Sequence, residues 1–200
     1  LIILMLTPYS EKLESENLMY HMLPEHLIYI SSGLLMCFGF EELILNLVIS
    51  KKKNSFRTKL TKIYSKLIEL NFKINSHGIV TAVLILIILI YWHIPEIFTF
   101  AWHNNSFHIK MHISYITIGI LIFLMDKVTS LLEKSIFTII IGKFMLIGGT
   151  ILLFNNSNHY YITYPIEQQT YVGLFMVMMD MIVGSTVIVY TFLQYFKKWD

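Results

Sequence analysis

IVTAVLILIILIYWHIPEIFTF (Ile79–Phe100) decides the fold. Its 22 residues contain no charge before Glu96. As a helix rising 1.5 Å per residue it would reach about 33 Å, the thickness of a bilayer's hydrocarbon core. Apolar side chains occupy every turn of it, leaving no face for water.

The same reading extends outward. Ile109–Met125, Ile136–Phe154 and Tyr171–Phe196 are runs of similar character, and Leu23–Ile49 is another, interrupted by Glu41-Glu42. That acidic pair falls roughly 28 Å along a helix counted from Met22, which places it near the opposite interface. Glutamates are tolerable there and costly at mid-depth. The composition agrees, with 56% hydrophobic residues, 14% charged residues and a mean hydropathy of +0.63. Soluble domains carry about 25% charged residues. The expectation is an all-α polytopic bundle in one domain, 1–200, with spans near 22–49, 78–100, 109–126, 135–154 and 168–196.

Residues 54–72 are different. Phe56, Leu60, Ile63, Leu67 and Leu70 recur at spacings of three and four among Arg57, Lys59, Lys62 and Lys66, and the run follows Lys51-Lys52-Lys53. This is a basic amphipathic helix suited to the surface of an anionic leaflet. Nucleic-acid binding is the other use of a basic run, and the apolar stripe between membrane spans argues against it.

Alternating the spans gathers the eight basic residues of 51–73 with Lys127, Lys134, Lys197 and Lys198 on one side, leaving Lys12 and Lys110 on the other. The bias of positive loops toward the cytoplasm then sets the topology: a multi-pass plasma-membrane protein with residues 51–73 and the C-terminus cytoplasmic. Trp92, Trp102, Tyr160, Tyr161 and Tyr164 are expected at the outer interface as an aromatic belt. Leu1–Leu6, too short to span, reads as the tail of an earlier helix, so one N-terminal span is expected to be missing. Cys37 is the lone cysteine and offers neither a disulfide framework nor a CxxC metal motif.

On that topology His21, His26, His93, His103, His108, His112 and His159 all fall at the outer face, and only His77 is cytoplasmic. Histidines at an interface commonly bond to water, headgroups or freed carbonyls. Gathered on one face they also offer metal ligands, and imidazole with thioether suits copper. His108 and His112 are four apart and project from one helix face, as do Met22 and His26. Pro24 either opens that helix or kinks it, and Pro95 bends the outer end of the second span. His103 and His159, in Asn-rich loops, read as solvated.

Lys143 and Asp180 lie at similar depths within the fourth and fifth spans. A lone ion there is expensive, so the expectation is a Lys143–Asp180 ion pair between adjacent antiparallel helices, acting as packing glue rather than as a proton relay. Met176, Met178, Met179 and Met181 read as adaptable packing, with a Met-lined copper path as the alternative. Gly142, Gly148, Gly149, Gly173 and Gly184 permit close helix approach.

Four stretches together resemble the CtaG-type polytopic membrane family, linked to copper-site assembly of bacterial cytochrome c oxidase, and related archaeal membrane proteins of unassigned function. They are His21-Met22-Leu23-Pro24-Glu25-His26, Trp92-His93-Ile94-Pro95, His108-Ile109-Lys110-Met111-His112, and Glu167-Gln168-Gln169 followed by Gly173 and Met176. Their order and separation match the family along essentially the whole chain. The chain differs in spacing His21 and His26 five apart, in Met111, and in Met179-Asp180 where the family tends to have Pro-Gly.

The resemblance implies a non-enzymatic protein that binds copper and delivers it at the extracytoplasmic face during assembly of a membrane oxidase. His93, His108 and His112 would be the core ligands, with His21, Met22 and His26 contributing. Glu167 would hold an imidazole tautomer as an outer partner. The alternative is a non-catalytic structural subunit of a haem–copper oxidase or copper monooxygenase, and a b-haem electron carrier is a third reading. The expected partners are the lipid bilayer and subunits of a membrane metalloenzyme complex, not nucleic acid. Phosphate-binding glycine loops, GxSxG and HExxH are missing from the sequence.

Overall fold

The structure is a computed structural model that describes residues 12–13, 16–49, 55–155 and 160–197. Lys51-Lys52-Lys53, His159, Lys198 and the expected N-terminal helix tail lie outside the described residues.

The elements are α1 (Leu18–Ile49), α2 (Ser55–Ile74), a 3-10 turn (Ser76–Gly78), α3 (Ile79–His93), α4 (Pro95–His103), α5 (Asn105–Asp126), α6 (Leu131–Phe154) and α7 (Ile166–Phe196). Among the described residues five helical stretches are long and apolar enough to cross a membrane. They comprise α1, the 3-10 turn with α3, α5, α6 and α7.

Local chemistry sets the boundaries. The Asn17 side chain accepts from the Met19 and Tyr20 amides, which starts α1 ahead of its first apolar run. Asn104 caps α5 through the Phe107 amide, and Ser130 with Glu133 forms a reciprocal capping box on α6. His77 and Gly78 both take positive φ, 61° and 69°, to turn the chain from α2 into α3. Buried Asn75 holds that corner, with its Oδ1 accepting from the Thr81 amide at 3.2 Å.

The expected span 78–100 is corrected. It stops at His93, Ile94 is extended (φ −67°, ψ 124°), and Pro95 is the first residue of the separate helix α4. Proline disfavours helical geometry in the residue before it and cannot donate to the preceding turn, so an apolar run becomes a span and a short cap. Pro24, by contrast, sits inside a continuous α1.

Two helix pairs form the frame. In α1/α5, Gly33 faces the Ile116 carbonyl and Gly119 faces that of Ile30, each so closely that a Cβ would collide. In α6/α7, a Cβ on Gly149 would stand 2.8 Å from the Gly173 carbonyl oxygen, and one on Gly173 would stand 2.6 Å from that of Gly149. Small residues of this kind let helix backbones approach within lipid. Helix α3 lies against α5 and α6, and α4 closes over one end.

The outward faces are apolar, with Leu35, Ile87, Ile147, Ile182 and Leu193 exposed, while His21, His112, Gln169 and Asp180 are buried. The aromatic belt is revised too: Trp92, Tyr161 and Tyr164 are buried core residues, and Trp102 and Tyr160 are half-buried.

A candidate functional site at the histidine end of the bundle

The starts of α1 and α5, the end of α3 and the whole of α4 meet at one end, and this brings five of the expected histidines together. They form two groups. His21 lies parallel to His108, with ring centroids 5.5 Å apart, and His108 neighbours His112 at 4.4 Å on the next turn of α5. His112 in turn stacks on Tyr29 at 4.3 Å. Phe98 and Trp102 of α4 meet the His21 ring edge-on and cover it.

The second group is His26 of α1 and His93 of α3, near-parallel at 5.2 Å. Tyr115 stands edge-on to His26 and Phe144 to His93. The Leu89 carbonyl lies 2.7 Å from His93 Nδ1. A carbonyl can only accept, so Nδ1 carries the proton, and in the neutral ring Nε2 keeps the lone pair. His93 therefore stands with His26, whereas His108 and His112 stand with His21. His103 is exposed at the end of α4, and His77 is at the opposite end of the bundle against Glu133.

His21, Met22, His26 and His93 surround one crevice with Trp92, Phe98 and Tyr115, packed too tightly to hold a water. Adjoining it, a cleft of about 260 Å³ separates the α1/α5 pair from α6/α7. Met19, Met22, Met145, Met176 and Met179 line this cleft together with His26 and His93. Met176, read from the sequence as packing, thus shares a wall with both imidazoles. Among the described residues no group of three or more His, Cys, Asp or Glu side chains could hold a metal ion. The donors lining this cleft are two imidazoles and several thioethers, of the soft kind that suits Cu(I).

The Glu-Gln-Gln stretch works mainly through its glutamines. Gln168 Oε1 accepts from the Leu18 amide at 3.0 Å, and its Nε2 donates to the Glu16 carbonyl at 3.0 Å, so α7 fastens the start of α1. Buried Gln169 accepts from the Tyr161 amide and donates to the Tyr161 and Tyr164 carbonyls at 2.8–2.9 Å, clamping the loop before α7. Burial pushes the Tyr161 phenol up, and burial with the nearby Glu96 charge does the same for Tyr160. Both phenols stay neutral. Glu167 is exposed in the first turn of α7. The sequence marks the two glutamines as part of a motif but assigns them no role, because a glutamine's function is not legible until its backbone partners are known.

Midway along α6 and α7, Lys143 Nζ stands 2.7 Å from Asp180 Oδ2. Gly142 makes room, since a Cβ there would lie 2.7 Å from Asp180 Oδ1.

A family model described as cytochrome c oxidase caa3 assembly factor (Caa3_CtaG) matches residues 1–198. Comparison with curated proteins and with solved structures returns no match.

Proposed function

The chain belongs to the cytochrome c oxidase caa3 assembly-factor family, and from that premise we propose that it binds copper as cargo at the histidine end and passes it to a membrane oxidase under assembly. The observation that carries the reading is the cleft that Met22, His26, His93 and Met176 line together. The lone pair on His93 Nε2 and the neighbouring thioethers offer Cu(I) a low coordination number, which suits a cargo that must leave again. His21, His108 and His112 supply a second imidazole group beside it. The protein performs no bond-making of its own; it holds, orients and releases. The histidine end faces the extracytoplasmic side in this reading, supported by the gathering of lysines near the other end. Its partners are subunits of the oxidase complex.

The test is Cu(I) retention by purified protein against a soluble Cu(I) chelator. Wild type should retain copper, and H26A and H93A should each weaken retention by at least about tenfold, equivalent to 1.4 kcal/mol. Retention no higher than that of H26A/H93A would end the proposal. Single cysteines introduced at His103 and Lys59 in a C37S background should label from opposite sides of intact cells.

A further inference from the structure

Helix α2 contacts the bundle through one side only. Tyr64 donates to Glu41 of α1 at 2.8 Å, and the Asn71 side-chain amide donates to the Leu124 carbonyl of α5 at 2.9 Å. At 3.6 residues per turn Tyr64, Ile68 and Asn71 share a sector about 60° wide, and all three are partly buried. These two tethers fix the rotation of α2, and with it the direction of every other side chain.

Ile63, Leu67, Leu70 and Ile74 fall roughly a quarter turn from the docked sector. They are 48–59% exposed, although four aliphatic side chains in one row have no reason to face water. Lys59, Lys62, Lys66 and Lys73 fall roughly half a turn away, all exposed, with Glu69 as the acidic residue near them. Ser65 and Phe72 occupy the remaining quarter, bordering a cleft beside Glu41 and Lys127.

A helix docked sideways against a bundle of membrane spans, apolar on the next quarter and basic beyond it, has the cross-section of a helix lying in a bilayer interface. The aliphatic row enters the acyl chains, and the lysine row reaches phosphates at headgroup depth while its methylene stems cover the apolar edge.

We propose that α2 is an anionic-phospholipid-binding element, with Ile63, Leu67, Leu70 and Ile74 inserted in the leaflet and Lys59, Lys62, Lys66 and Lys73 on acidic headgroups. The charge selects the lipid class, since a zwitterionic headgroup offers lysine no net attraction. An acidic protein could meet the lysines, but it would leave the aliphatic row in water or under protein.

Two measurements on the full chain test this. A spin label at position 67 (L67C in a C37S background), reconstituted in vesicles of phosphatidylcholine with 30% phosphatidylglycerol, should collide more with oxygen than with a water-soluble nickel chelate. A label at Ser65 should show the reverse. Native mass spectrometry from mixed phosphatidylglycerol/phosphatidylcholine micelles should show phosphatidylglycerol retained in preference. That preference should fall at least about five-fold in K59Q/K62Q/K66Q/K73Q, the equivalent of roughly 1 kcal/mol for a single lysine. The matching Lys→Arg variant should keep it. A label at 67 that prefers the nickel chelate overturns the proposal, and so does a lipid preference unchanged by the glutamines.

Discussion

Removing either partner of the Lys143–Asp180 pair should destabilise the protein, and removing lysine should cost more. Lys143 is residue 13 of the 24 in α6, and Asp180 is residue 15 of the 31 in α7, so both sit mid-span. Their surroundings differ: the Asp180 side chain is 4% exposed and that of Lys143 is 52% exposed. In D180N the stranded ammonium can swing on its four-carbon stem toward the interface, so the loss should be about 3 kcal/mol. In K143M the carboxylate is short, enclosed and wedged against Gly142, with nowhere to go, and the loss should approach 5 kcal/mol. Replacing both partners (K143M/D180L) removes the desolvation cost together with the attraction and should return close to wild type. Unfolding titrations in mixed dodecylmaltoside/SDS micelles read all three. Single variants within about 0.5 kcal/mol of wild type, the lower edge of what a point mutation usually costs, or a double variant worse than either single, would refute the reasoning.

The remaining expectations concern packing and polar anchors. G33A and G119A should each destabilise by about 2 kcal/mol, because a Cβ would collide with a facing carbonyl and force α1 and α5 apart. G184A, where a Cβ would meet nothing within 4 Å, should be neutral or stabilising by up to about 1 kcal/mol in the same titration. Q169L strands the Tyr161 amide and the Tyr164 carbonyl, leaves the Tyr161 carbonyl with only the Tyr164 amide, and should cost at least about 2 kcal/mol, measured as loss of thermal stability in detergent. Burial and the hydrogen bond to Glu41 push the Tyr64 phenol up to about 12. Its contribution to holding α2 should thus persist to about pH 10, the unfolded value, and disappear as the pH rises through 12. The wild-type minus Y64F absorbance at 295 nm should show one phenol ionising near 12, and a step near 10 would contradict the tether.

The spans were legible because a bilayer imposes a rule that composition alone can meet: some 20 apolar residues, one after another. The positions of their ends were less so. Asn17, Asn104 and Ser130 are ordinary capping residues, visible in the sequence, but each lies outside the apolar run that draws attention to the helix. The Pro95 break was half legible. Proline marks a perturbation, yet a bend and a full stop differ only in whether Ile94 leaves helical geometry, and that depends on α4 having Phe98 and Ala101 to bury against the end of the bundle. The glycines show the same limit. Gly149 and Gly184 look alike in the sequence, and only the rotation of each helix shows that one meets a backbone and the other does not.

Spacing along a helix also misleads about which imidazoles meet. His108 and His112 are four apart and do neighbour each other, but His93 reaches neither, because α3 carries it toward α1 and α6 instead. Its partner His26 was the less regular member of the first motif, five residues after His21. That irregularity has a geometric use. Five residues turn a helix through about 140° relative to the first, so His21 and His26 project in different directions, one toward α4 and α5 and the other toward α3. A four-residue spacing would put both rings on one face and serve a single site. Five lets α1 contribute to two imidazole groups at once, and for a protein proposed to accept a soft cation and surrender it, two adjacent partial sites are a better arrangement than one closed site from which the ion could not leave.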